Sequence, residues 1–204
     1  LGGSISFIVS NGVVDNDMII SAVITGDNTL TKSGNPGVLV LSGNNRYTGL
    51  TTVASGILRL GATGDGTNTP LGTIATGTLV NSTASLDLNG FTLSTAEALS
   101  LSGNQATGVL QNNSSTGVNY SGLITLSGTT FIISDYGDIN ITNAGNITGN
   151  TLGLTIGGAG NGTLASNLNT TTGTLTKNGL GVWTISGGAS TYTGLTTVSA
   201  GTLK

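Results

Sequence analysis

An internal repeat limits this chain more than any other feature of its sequence. Residues 30–60 read LTKSGNPGVLVLSGNNRYTGLTTVASGILRL, and residues 175–204 read LTKNGLGVWTISGGASTYTGLTTVSAGTLK. The heptapeptide YTGLTTV at Tyr47 returns unchanged at Tyr192, a displacement of 145 residues, and Leu30-Thr31-Lys32 returns as Leu175-Thr176-Lys177 at the same displacement. In between, the register slips by one at Asn35/Pro36 and recovers at Thr191, so the compensating changes fall in Gly-, Asn- and Ser-rich segments that tolerate them. A chance match in a biased composition would not recover its register. Carried back without a gap, the same displacement places Phe7 and Val9 on Leu152 and Leu154, and Ile19, Ser21 and Val23 on Leu164, Ser166 and Leu168. The chain ends at Lys204, the counterpart of Arg59, while the first copy runs on through Leu60-Gly61. This pattern is expected of one continuous segment, residues 1–204, taken from a longer tandem array.

Within the unit the local signal is strand. Short alternations such as Val38-Leu39-Val40-Leu41, Ile57-Leu58-Arg59-Leu60, Ser85-Leu86-Asp87-Leu88 and Ile124-Thr125-Leu126 are separated by turn pairs, among them Asn11-Gly12, Asn89-Gly90, Asn161-Gly162 and Asn178-Gly179. Only Ser94–Leu101 reads even faintly as helix. The chain is expected to be all-β, and short regular strands under a long-period repeat favour a right-handed parallel β-helix, a β-solenoid, over a sandwich or barrel. At about 20 residues per coil the repeat unit would make about seven coils and the chain about ten, a rod of roughly 48 Å at ~4.8 Å per coil.

Composition fits that architecture. Gly, Thr, Ser and Asn supply about 55% of the residues, and only 6% are charged. Leu, Val and Ile would stack inward from coil to coil, Thr and Ser would face water, and Gly and Asn would take the tight corners. The same composition excludes functions. With no His and no Cys there is no thiolate nucleophile, no Cys/His zinc site and no ordinary general base near neutral pH. Five Lys/Arg against eight Asp/Glu are too few cations to follow a nucleic acid backbone. The apolar runs break within a few residues, far short of the ~20 of a membrane helix, and no signal peptide is recognisable. No enzyme, cofactor, nucleic acid or membrane insertion is expected of this segment.

The run Leu30-Thr31-Lys32-Ser33-Gly34, Val38-Leu39-Val40-Leu41-Ser42-Gly43-Asn44, Tyr47-Thr48-Gly49, Thr51-Thr52-Val53 and Gly56-Ile57-Leu58 resembles the passenger-associated transport repeat of bacterial autotransporter passengers. The second copy resembles it equally, with Trp183 in place of Leu39. The signature positions are Lys32, Gly34, Gly43, Tyr47, Gly49 and Gly56, then Lys177, Gly179, Gly187, Tyr192, Gly194 and Gly201. The resemblance implies a β-helix exported to the bacterial surface or secreted, as a stalk, fibre or coat, or as an adhesin for a host glycan or protein. Its partners would be flanking repeats or other copies of itself. The lack of Cys suits a chain that crosses an outer membrane unfolded, though Cys is also simply rare in β-solenoids.

Individual residues carry weaker signals. The recurrence of Tyr47 and Tyr192 predicts a ring packed at a corner with its hydroxyl toward water, and that of Lys32 and Lys177 predicts a turn or edge position. Phe91, Tyr120, Phe131 and Tyr136 are the candidates for an adhesive patch. Asp15 and Asp17, Asp135 and Asp138, and the segment Gly64–Asn68 hold too few carboxylates for calcium, so solvated turns and no metal are expected. A polysaccharide-active enzyme built on Asp135 and Asp138 would lack aromatic platforms and neighbouring cations. An ice-binding face would need Thr-x-Thr at every coil, and the sequence does not supply it. The sequons at Asn81, Asn113 and Asn146 are expected by chance in a chain so rich in Asn, Ser and Thr.

Overall fold

A computed structural model describes residues 3–204. Every regular element among them is a strand, from Ser4–Ile8 to Thr202–Leu203, and most are two to five residues long. Each ladder between strands is parallel and joins residues 19 to 28 apart in the chain, so each circuit of the backbone lies directly on the previous one. This is a β-solenoid of about ten turns.

The circuits define three faces. On face one Ile5, Leu30, Thr51, Thr78, Leu99 and Ile124 lie in successive coils, followed by Ile147 and Leu168. On face two the succession is Met18, Leu39, Leu58, Leu86, Leu110, Ile132, Ile156, Lys177 and Val198. Face three carries Thr25–Gly26 under Arg46–Tyr47, and later Val118, Ile139, Gly162, Trp183 and Thr202–Leu203. Between Tyr47 and Val118 irregular segments hold face three together, with Thr73 N donating to Tyr47 O at 3.1 Å and Asn119 N donating to Thr92 Oγ1 at 2.9 Å. The long strand Ile124–Ile133 turns the corner from face one to face two and joins both into one 16-stranded sheet.

Period-2 alternation places the core. Thr29–Ser33, Gly56–Leu60 and Leu99–Gly103 bury every second residue, and the inward column Leu39, Leu58, Leu86, Leu110, Ile132 and Ile156 is fully enclosed. Burying each such side chain stabilises the fold by about 1.5–3 kcal/mol relative to leaving it in water. The stack supplies this at every coil, which is why so few charges suffice.

The strand partners revise two sequence expectations. Leu30 lies over Ile5 and Leu175 lies over Leu154, which makes Ile5, and not Val9, the counterpart of Leu154. Met18 lies under Leu39 as Gly162 lies under Trp183, so Ile20, and not Ile19, matches Leu164. The gapless extension therefore fails below the repeat, because the first copy makes its turn with residues 10–17 where the second uses only 159–161. The second revision concerns phase. Six turns up face one from Leu30 reach Leu168, and Leu175 then begins the strand on face two. The 145-residue displacement thus spans six turns and one face, not seven whole coils.

Candidate functional site: the repeat corners

The repeat signature builds a corner. Lys32 ends an inward alternation on face one, and its side chain is completely buried. Its Nζ donates to Gly34 O at 2.6 Å and to Ser55 O, one coil further on, at 2.8 Å. Lys177 repeats this at the next corner, donating to Asn178 O at 2.6 Å, Gly179 O at 2.8 Å and, one coil on, Ala200 O at 3.2 Å. The sequence predicts a turn or edge position; each lysine instead takes the last inward position of a strand, next to the corner, and both ammonium groups point inward. An ammonium has three donors and no acceptor, so converging carbonyls satisfy it as water would. Burial lowers the Lys32 ammonium to about 8, against the opposing pull of the Asp17 charge, and lowers Lys177 as well.

Glycine makes room for this cage. Gly34 and Gly179 take φ of 86° and 67°, and Gly56 and Gly201 take 70° and 68°. A Cβ on Gly201 would stand 2.8 Å from Lys177 Nζ and 2.5 Å from Gly179 O; on Gly56 it would collide with Lys32 Nζ. At Gly43 and Gly187 a Cβ would strike Ala22 and Ser166 of the adjoining coil, and at Gly49 and Gly194 it would strike Asn28 and Gly173.

The tyrosines close the following turn. Tyr47 is fully buried, and its hydroxyl shares a 2.6 Å hydrogen bond with Thr51 Oγ1, which in turn donates to Leu71 O at 3.0 Å. Tyr192 makes the same bond to Thr196 Oγ1 at 2.7 Å, from a half-buried ring in the last coil. The expectation of a hydroxyl in water is corrected: Thr four residues later replaces water as its partner.

The proposed adhesive aromatics do not form a patch. Tyr120 is buried on face three with its hydroxyl donating to Glu97 O, and Phe91 and Phe131 are half-buried on faces three and two. Only Tyr136 is exposed, at 68%. The acidic turns are hydrogen-bonded: Asp65 Oδ1 accepts from Thr67 N at 3.0 Å and Asn68 N at 2.7 Å, and Asp138 Oδ1 accepts from Asn161 N at 3.1 Å. Among the described residues no three His, Cys, Asp or Glu gather as metal ligands, and no helix is long and apolar enough to cross a membrane.

Two charged features, one ion pair and one lone carboxyl, escaped the sequence reading. Arg59 and Asp87 occupy matching positions in successive coils and form a 2.9 Å ion pair, with Asp87 fully buried. The Asp87–Arg59 register could not be seen without knowing the local coil length of 28 residues. Glu97 is also completely buried, with Oε1 accepting from Thr78 Oγ1 at 2.8 Å and Oε2 unpartnered. Burial raises its pKa to about 7, against the lowering effect of that hydrogen bond.

Comparison with known proteins isolates the same corners. The family model for the passenger-associated-transport-repeat matches residues 30–60 and 175–204. No curated protein and no solved structure matches the chain. The chain is thus a β-solenoid whose two lysine-caged corners match the passenger-associated transport repeat, a match consistent with an autotransporter-passenger-like repeat protein.

Proposed function

We propose that this chain is a structural segment of a bacterial surface or secreted passenger, a rigid rod forming part of a stalk, fibre or coat, with no catalytic role of its own. The observation that carries this reading is the caged lysine. Lys32 and Lys177 each bond carbonyls of two adjacent coils, so the recurring chemistry of the repeat clips coil to coil and does not engage a ligand. Nine strands along face two give a rod of about 40 Å at ~4.8 Å per coil. Both end coils present unpaired strand edges and apolar side chains, among them Ile19 at 62% exposure and Leu195 at 72%. Flanking repeats or other copies are the partners that would cover them.

The test is surface placement and reach. Antibody against this segment is expected to label intact cells that express the full-length protein, and protease shaving should remove the label. Electron microscopy should show the projection shortening in proportion when whole coils are deleted. A label that needs permeabilised cells, or a projection of unchanged length, would contradict the proposal.

A further inference from the structure

The eight-residue turn 10–17 is longer than the solenoid requires. Its counterpart at 159–161 makes the same corner with three residues, between the equivalent strands. The extra length folds back over face two as a flap. Asp17 fastens its base: Oδ2 accepts from Val38 N at 2.7 Å, Oδ1 accepts from Gly12 N, and these backbone bonds hold its carboxyl below the usual carboxylate range. Arg59 fastens its outer part, with Nη1 donating to Asn16 Oδ1 at 2.6 Å while Nε donates to Asp87 Oδ2 at 2.9 Å. Flap and face enclose an open cleft of about 590 Å³, within the ~300–1,000 Å³ typical of small-molecule sites.

The cleft is chemically mixed. Val38 and Ile57 give it a small aliphatic floor, Val13 and Val14 stand exposed at its rim, and Asn113 and Asp15 line it with no side-chain hydrogen bond to any described residue. Donors and acceptors therefore stand beside an apolar surface. The charge around it is mildly acidic: Asp15, Asp17 and Asp87 stand against Arg59 and the buried Lys32 ammonium, a local excess of one negative charge that disfavours phosphates and acidic sugars. We infer that the cleft between the 10–17 flap and face two is a binding site for a neutral, hydroxyl-rich ligand, a neutral saccharide whose C–H face lies on Val38 and Ile57 and whose hydroxyls meet Asn113, Asp15 and Arg59. The second copy contains no such flap, and Lys204 stands where Arg59 stands in the first, so the site belongs to this part of the rod and not to the repeat. The inference is independent of the rod proposal, since a rod can carry or lack it.

The experiment is a titration of the ¹⁵N-labelled chain with lactose, maltose and methyl α-mannoside as neutral probes, and with glucuronate as the acidic control. Saturable shifts are expected at Asn11, Val13, Asn89 and Asn113, with a Kd on the order of 1 mM for at least one neutral probe. Replacing residues 10–17 by the Ala-Gly-Asn of 159–161 should leave the fold intact, as the second copy does, and weaken binding at least tenfold; Asn113→Ala should weaken it with the flap in place. Glucuronate should bind at least tenfold more weakly than the best neutral probe. Absence of saturable shifts with every neutral probe, binding that survives the flap replacement, or glucuronate binding as tightly as the neutral sugars would each overturn the inference.

Discussion

Lys32 and Lys177 occupy the same carbonyl cage on different edges of the solenoid: Lys32 closes the corner between faces one and two, and Lys177 the corner between faces two and three. Every later element follows. Tyr47 lies on face three and Tyr192 over Leu168 on face one, and Thr51–Val53 lies on face one while Thr196–Val198 lies on face two. The repeat therefore specifies strand, corner and strand, and any corner of the three-sided coil accepts it.

Replacing either lysine by methionine keeps the volume and removes the donors. Buried acceptors left unpaired cost roughly 1–3 kcal/mol, so Lys32→Met is expected to lower the unfolding free energy by that amount, with a matching fall in the denaturant midpoint. Lys177→Met should cost less, because it lies in the penultimate coil of the stack. Chemical unfolding followed by circular dichroism measures both, and equal stability of wild type and Lys32→Met would show the cage to be energetically idle.

The buried Glu97 makes stability depend on pH. Its folded pKa of about 7 lies above the ordinary Glu value of 4.5, so the folded chain holds a proton that the unfolded chain releases. Its contribution is complete below pH 4.5 and is lost as pH rises through 7, by roughly 3 kcal/mol in all. Glu97→Gln keeps the Thr78 bond without the charge and should flatten this slope. A wild-type midpoint that does not fall between pH 4.5 and 7 more than that of Glu97→Gln would refute the assignment.

Glycine substitutions should divide by position. Gly56→Ala adds a Cβ at φ 70° against Lys32 Nζ and the Gly34 and Gly37 carbonyls, while Gly188→Ala adds one where nothing lies within 4 Å. The first is expected to destabilise by more than ~1 kcal/mol and the second to remain within ~0.5 kcal/mol of wild type. Melting temperatures of the two variants decide the point.

Tyr47→Phe removes a hydroxyl from a closed interior and Tyr192→Phe removes one from the outer coil. A loss of about 1 kcal/mol is expected at Tyr47 and less at Tyr192. The reverse order, read from unfolding curves, would contradict the role given to the Tyr–Thr bond.

Much of this structure was legible in the chain. Alternations such as Ile57-Leu58-Arg59-Leu60 announced strands, and the repeated Lys-x-Gly and Tyr-Thr-Gly marked the corners. Some of what was missed had left a trace: Val118-Asn119-Tyr120 puts Tyr120 on the inward side with Val118, which argues against an adhesive surface residue. The phase of the repeat depended on coil length, since 145 residues make about seven coils of 20 but six and a third at the observed spacing. Inward lysines left no trace, because a charge in a sequence does not reveal carbonyls converging from two coils. Nor did the flap, whose extra residues show only when the strands on either side are aligned with their counterparts.

The central claim is that the second repeat is one face out of phase with the first, and engineered cysteines in this cysteine-free chain test it most directly. In the structure Thr184 lies beside Thr163 on face three; if the copies were in phase, Trp183 would continue the face-two column of Leu39 over Ile156, with Val182 beside Thr155. Thr163→Cys with Thr184→Cys is expected to form a disulfide on mild oxidation, within the ~4.4–6.8 Å Cα reach of such a bond, and Thr155→Cys with Val182→Cys is expected not to. Efficient closure of the second pair and not the first would contradict the claim.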